Sequence, residues 1–181
     1  MYNDLLNGDI RIKRNFLEEK IFIKLKKEIK NLKFKKMYQP IDRYFGNRLL
    51  AYPCYDALVP QWRDYFSLRL EDIIKQKINH KTFRIQARKT LSSELKLSPY
   101  NKRFGPVHHD HADLAGVFYF EQSYLGGTAF FENHFDPIPD ITIGAYTNRL
   151  ILYNGNRWHA PCADYTFEER YIIAFMVDII K

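Results

Sequence analysis

Cysteine is scarce in this chain, at two residues among 181. Cys54 and Cys162 each follow a proline and no Cys-x-x-Cys pair occurs, so neither a zinc ribbon nor a dithiol redox motif is supported. Long apolar runs are also missing. No stretch approaches the roughly 18 apolar residues that a spanning helix needs, so no membrane-crossing helix is expected. The opening segment, MYNDLLNGDIRIKRNF, lacks the apolar run of a signal peptide. The expectation is a soluble cytoplasmic protein. Internal repeats and low-complexity segments are absent as well.

What is present is core-forming material. Apolar residues make up 46% and aromatics 16% of the chain, which excludes wholesale disorder and suits a single domain over 1–181. The net charge of +7 is unevenly placed. Residues 1–50 carry 13 Lys+Arg against 6 Asp+Glu, and the remainder carries 15 against 15. A basic N-terminal helix can attract nucleic acid, but no nucleic-acid motif accompanies it. The plainer expectation is the solvated face of an ordinary helix.

Hydrophobic periodicity divides the chain in two. Leu17, Ile21, Leu25, Ile29 and Leu32 form one stripe, predicting an amphipathic helix over 16–36 with Asn15 as its N-cap. Residues 62–78 predict a second helix, and 37–60, with three prolines, read as a loop. From about 82 onward short apolar runs alternate with turn signals. The strand candidates are 82–91, 104–110, 114–120, 128–132, 149–153, 156–160 and 170–179. Asn154-Gly155 is the strongest hairpin signal, and Gly126-Gly127 reads as a turn. The fold class expected is α+β, with a helical support over 1–80 and an antiparallel β sandwich or barrel over 81–181.

Three of the six histidines fall in HHDHAD at 108–113. Two His-x-Asp pairs overlap there, His108/Asp110 and His111/Asp113, and His159 follows 49 residues after Asp110. Two neutral imidazoles and one carboxylate on one face of a metal make the facial triad of non-haem iron sites, leaving the other face open. A His-x-Asp pair on a strand puts both side chains on one side, about 6.6–6.8 Å apart at the alpha carbons, and the third ligand must come from another strand. His108/Asp110 is the preferred pair, because HAD then leaves room for a turn before the strand starting at Leu114. His109 and His111 become neighbours of the metal set. A bare His-x-Asp occurs often by chance, so further signals matter.

Those signals come from HHD (108–110), LAGVFYF (114–120), GGTAFF (126–131), NRLILYNGNRWHA (148–160) and Arg170, in that order. The span 104–179 resembles the 2-oxoglutarate/Fe(II) oxygenase family, particularly its prolyl-hydroxylase-like branch, and small oxygenase-like proteins of phages and bacteria. The resemblance implies a double-stranded β-helix (jelly roll) with two supporting helices. It implies Fe(II), 2-oxoglutarate and O2 as cofactor and cosubstrates. His108, Asp110 and His159 match the iron ligands. Arg170 matches the residue that pairs with the remote carboxylate of 2-oxoglutarate, and Tyr119 a tyrosine that bonds the same carboxylate. Ile172 stands where some branches carry Ser or Thr, which leaves Tyr119 as the substitute. The implied reaction hydroxylates a C–H bond with release of succinate and CO2. The substrate, a small molecule or a peptide, is not legible. Trp62, Tyr100, Trp158 and the loop 133–147 are candidates for the entrance. A cupin-like metal-binding jelly roll without oxygenase activity is one rival, and it has no use for Arg170; a nucleic-acid-binding or interaction protein led by the basic helix 16–36 is the other.

Overall fold

The computed structural model describes residues 4–5, 8–39, 52–97 and 103–180. In chain order the elements are β1 (Arg11–Lys13), α1 (Glu19–Lys30), β2 (Lys35–Gln39), β3 (Tyr52–Leu58), α2 (Pro60–Ile74), β4 (Arg84–Leu91) and α3 (Ser92–Leu97). They continue with β5 (Leu114–Tyr119), β6 (Ser123–Phe130), β7 (Ile141–Ala145), β8 (Arg149–Asn154), β9 (His159–Cys162) and β10 (Glu169–Val177). Seven strands form one sheet in the order β1-β8-β5-β10-β4-β3-β2, and three form another in the order β7-β6-β9. All the pairings are antiparallel. Among the described residues no helix is long and apolar enough to cross a membrane.

Both expected helices form, and both are shorter than their periodicity. Before α1, the backbone of Phe16 and Leu17 is claimed by Asn148: Phe16 N–H donates to its carbonyl at 3.1 Å, and its side chain bonds both backbone groups of Leu17. Asn15 is not the cap; it takes a left-handed φ of 47° one turn earlier, and Glu18 stands at the N-cap. Past Asn31 the chain leaves the helix, and residues 35–39 pair with β3 instead. α2 starts with Pro60 at its first turn, where the missing N–H costs nothing. It ends at Lys75, whose φ of 58° turns the chain away. The N–H of Ile78 then bonds the Glu71 carboxylate and Ile78 bridges to Ile179.

Three stretches differ from the sequence pattern, two because strand pairing supplied what local propensity did not and one because a proline broke the pairing. The presumed loop 37–60 contains β3, which joins β4. The loop 133–147 contains β7, paired to β6. Residues 104–110 make only single bridges, Phe104 to Cys162 and His108 to His159, because Pro106 interrupts the ladder between them. Asn154-Gly155 does turn the chain, but not into a hairpin. β8 belongs to the large sheet and β9 to the small one, so the turn passes the chain across the gap between sheets.

Two cores result. Phe16, Phe66, Phe118 and Phe175 pack with the apolar sides of α1 and α2 on the outer face of the large sheet. Ala115, Val117, Tyr119, Phe130, Ile143 and Tyr153 fill the gap between the sheets. With a period of two along each strand, β5 sends Phe118 outward and Tyr119 inward. Its burial on both faces explains why LAGVFY carries no polar alternation.

Candidate metal centre and its cavity

His159 begins β9, opposite Phe130 of β6. The segment carrying His108 lies alongside it: His108 N–H donates to the His159 carbonyl at 2.9 Å, and His159 N–H returns a bond of 2.9 Å. Asp110 sits one step past this bridge, where its N–H donates to the Gly155 carbonyl at 2.7 Å. That contact depends on glycine. A Cβ on Gly155 would come within 2.3 Å of the Ala112 carbonyl oxygen, so any side chain would force the ligand loop away. The NG motif that reads as a hairpin therefore positions Asp110.

The three side chains converge. Their donor atoms lie within 4.8 Å of one another. The Asp110 oxygens are 3.9 Å from His108 Nε2 and 3.4 Å from His159 Nε2. Adjacent ligands with bonds of about 2.1 Å stand roughly 3 Å apart, so an ion needs only a small inward movement of each group. The imidazoles are held in the required orientation. His108 Nδ1 lies 2.9 Å from the Pro106 carbonyl, and His159 Nδ1 lies 2.9 Å from the Arg157 carbonyl. A carbonyl only accepts, so each Nδ1 carries the proton and each Nε2 presents its lone pair to the shared point. Burial, then the neighbouring His159, pushes the His108 pKa down to about 4, which keeps that ring neutral. Burial opposes the charge on Asp110, but the surrounding His159, His108 and Arg88 side chains hold its pKa below the usual value. Two neutral imidazoles and an anionic carboxylate are the donor set of a divalent non-haem iron site.

The other His-x-Asp pair is engaged elsewhere. Asp113 points away and accepts the Ile179 N–H at 2.9 Å. His111 takes a left-handed φ of 50° and packs on His109, 3.9 Å between centroids. His109 in turn meets Trp158 edge-on at 4.6 Å.

A cavity of about 110 Å³ opens from the triad into the space between the sheets. That is several times the room one water needs. Arg170 and Tyr119 both line it. The Arg170 guanidinium lies 5.6 Å over the Tyr119 ring and donates to the Cys162 carbonyl at 3.1 Å. Tyr119 Oη and Thr128 Oγ1 are 2.6 Å apart. Burial pushes the Tyr119 pKa up to about 12, so its hydroxyl stays protonated.

Several neighbours of this site carry no local signal in the sequence. Asp164, 1% exposed, places Oδ2 3.8 Å from Arg170 Nε. Gly126 and Gly127 are not a turn but lie inside β6 at an irregularity in its pairing. A Cβ on Gly126 would stand 2.6 Å from Asp164 Oδ2 and 2.9 Å from Arg170 Cζ, so the missing side chain makes room for that pair. Thr128 follows two residues later on the cavity wall. Arg88 of β4 also lines the cavity. Of the entrance candidates, Trp62 is instead packed between helices, 6% exposed, and donates to Glu28 at 2.7 Å. Trp158 is half-buried beside His109 and His134. Tyr100 lies outside the described residues.

No family model matches the sequence, and no curated protein matches it. Solved structures do. The chain is similar to the non-haem alpha-ketoglutarate-dependent epimerase SnoN from nogalamycin biosynthesis, with a TM-score of 0.66 at 12% identity, covering 98% of this chain and 82% of that one. It is similar to a prolyl hydroxylase from Trichoplax adhaerens, solved with a hypoxia-inducible-factor peptide, with a TM-score of 0.60 at 13% identity over 98% and 88% of the two chains. HygX from Streptomyces hygroscopicus, solved with nickel, 2-oxoglutarate and hygromycin B, gives a TM-score of 0.61 at 8% identity over 94% and 83%. The fold of this chain is therefore that of the Fe/2-oxoglutarate-dependent enzymes.

Proposed function

We propose that this protein is an Fe(II)- and 2-oxoglutarate-dependent oxygenase that hydroxylates a C–H bond of a small-molecule or peptide substrate. The observation that carries the reading is the pairing of two sites in one cavity: a His, His, Asp cluster and a buried arginine. We read the two facing sheets as the walls of a double-stranded β-helix, in one domain.

His108, Asp110 and His159 would hold the iron, their Nε2 and carboxylate atoms being the ones turned toward a common point. The iron with bound 2-oxoglutarate would supply an activation of O2 that no side chain can, one oxygen atom passing to succinate as the cosubstrate loses CO2 and the other to the substrate C–H bond. The chain's own residues position and enclose. Arg170 presents a guanidinium to the cosubstrate's remote carboxylate, a pairing that suits its fork-shaped donor set. Tyr119 offers a hydroxyl beside it, already oriented by Thr128. Ile172, directly opposite Tyr119 across β5 and β10, keeps that end apolar, and Phe130 and Tyr153 shield the imidazole of His159 from water. A metal-binding module without oxygenase activity gains nothing from a buried arginine at that depth. The structure neighbours include enzymes solved with 2-oxoglutarate and a metal, which supports the same assignment.

Succinate formation from 2-oxoglutarate tests the proposal. His108→Ala and His159→Ala are expected to lose about 100-fold or more, the scale on which metal affinity responds even to outer partners of a ligand. His111→Ala should stay within about two- to three-fold of wild type. Equal loss in all three would overturn the ligand assignment, and no succinate from the wild type with Fe(II) would overturn the activity.

A further inference from the structure

Arg88 is a second cation in the cavity, and the reading above does not use it. It sits on β4, directly opposite Ile172 of β10 on one side and Asp56 of β3 on the other. Its Nε and Nη2 donate to the two Asp56 oxygens at 2.8 and 3.0 Å, and its side chain is only 14% exposed. Arg88 lines the same cavity as His108, Asp110, His159 and Tyr153.

A strut between strands is the plain explanation for such a pair, and it is a poor one. A buried ion pair stabilises no better than packed apolar residues of the same size, because desolvation offsets the attraction. The neighbouring wall residues Ile172 and Ala174 show that apolar and small side chains fit there. The geometry of the fork matters more. A guanidinium has five N–H groups in one plane. Asp56 takes two, along one edge, and thereby fixes the plane. Among the described residues no acceptor meets Nη1, so the second edge of this cavity-lining guanidinium is not taken by the protein. Such an edge can receive a bidentate acceptor.

We propose that Arg88 is an anion-binding residue of this cavity, whose free edge takes a carboxylate lying beside the metal position. The carboxylate belongs either to the 2-oxo acid end of the cosubstrate or to an acidic substrate. The proposal rests on the oxygenase reading, and its test keeps the two apart.

The experiment is an anaerobic titration of the Fe(II)-loaded protein with 2-oxoglutarate, followed through the visible charge-transfer band, with acetate then added to the saturated complex. The variants are Arg88→Lys, Arg88→Met and the double variant Asp56→Asn/Arg88→Met, which leaves no unpaired buried carboxylate. If the cosubstrate is the source, the Met variants weaken 2-oxoglutarate binding by roughly ten- to a hundred-fold and move the band. A residue acting only as a strut would not move the band. If the substrate is the source, 2-oxoglutarate binding is unchanged, and acetate perturbs the wild-type complex but not the Met variants. Variants that match wild type in affinity, band and acetate response, with only a lower unfolding midpoint, overturn the proposal. A wild type that forms no band overturns the oxygenase reading itself, and Arg88's role with it.

Discussion

The two faces of the seven-stranded sheet are made from the same strands and do opposite work. On β10, Tyr171, Ile173, Phe175 and Val177 turn outward into a dry core beneath the helices. Arg170, Ile172, Ala174 and Met176 alternate with them and line the cavity. The outer face holds rings 5.0–6.3 Å apart, Phe118 on Phe120 and Phe66 on Phe175 among them. The inner face holds a buried arginine and a buried tyrosine, and it looks onto the cluster of His108, Asp110 and His159. Apolar burial is where folding free energy comes from. Buried polar groups at best break even. The outer face thus stabilises a sheet whose inner face is free to carry chemistry, and one strand serves both because its period is two.

Substitution on the outer face should cost the most. Phe118 is fully buried and touches Phe16, Phe66 and Phe120. Phe118→Ala is expected to lower the unfolding free energy by about 3–5 kcal/mol, read from urea denaturation. Metal affinity of the remaining folded protein should be unchanged. A large change in Mn(II) affinity at unchanged stability would break the division between the faces.

On the inner face the order reverses. Gly126→Ala places a methyl group against the tips of Asp164 and Arg170, side-chain atoms that can yield. The fold should survive with a small change in midpoint while the guanidinium is displaced. The expected loss in 2-oxoglutarate affinity is about ten-fold, the loss of one charge-assisted bond, measured by anaerobic titration. Equal losses in stability and affinity would show that this glycine serves packing alone.

The same contrast explains what could be read from the residues. The outer face announces itself, because α1 and α2 carry periodic stripes and β5, β8 and β10 are dense apolar runs. The triad is legible because two of its members are neighbours and its third lies at a fitting distance along the chain. Arg88 with Asp56, and Arg170 with Asp164, give no such sign. The first pair meets only through the register of β3 on β4, across 32 residues of sequence. Strand register is a long-range outcome that no local pattern encodes. β2 was hidden for another reason: its lysines continue the spacing of α1, and only pairing with β3 decides between helix and strand. The glycines misled because a GG or NG pair signals a turn. Gly126 lies inside a strand and Gly155 in a turn that makes no hairpin, and each is a place where another side chain or backbone comes too close for a Cβ.

The smallest change sharpens the comparison furthest. Tyr119→Phe removes one oxygen from the inner face and no apolar area. Thr128 then loses its partner at 2.6 Å. A lost neutral hydrogen bond costs about 0.5–1.5 kcal/mol, so stability should fall by about that much. If the hydroxyl also bonds the cosubstrate, 2-oxoglutarate affinity should drop by roughly three- to ten-fold. Because burial raises the Tyr119 pKa to about 12, the hydroxyl does not ionise under assay conditions. The ratio of wild-type to variant affinity should therefore be flat between about pH 6 and 9, where histidine and amino groups but not this phenol titrate. A ratio that changes with pH would mean that a different group governs that end of the cavity. An unchanged affinity with reduced stability would leave Tyr119 as a wall residue and Arg170 as the carboxylate's partner.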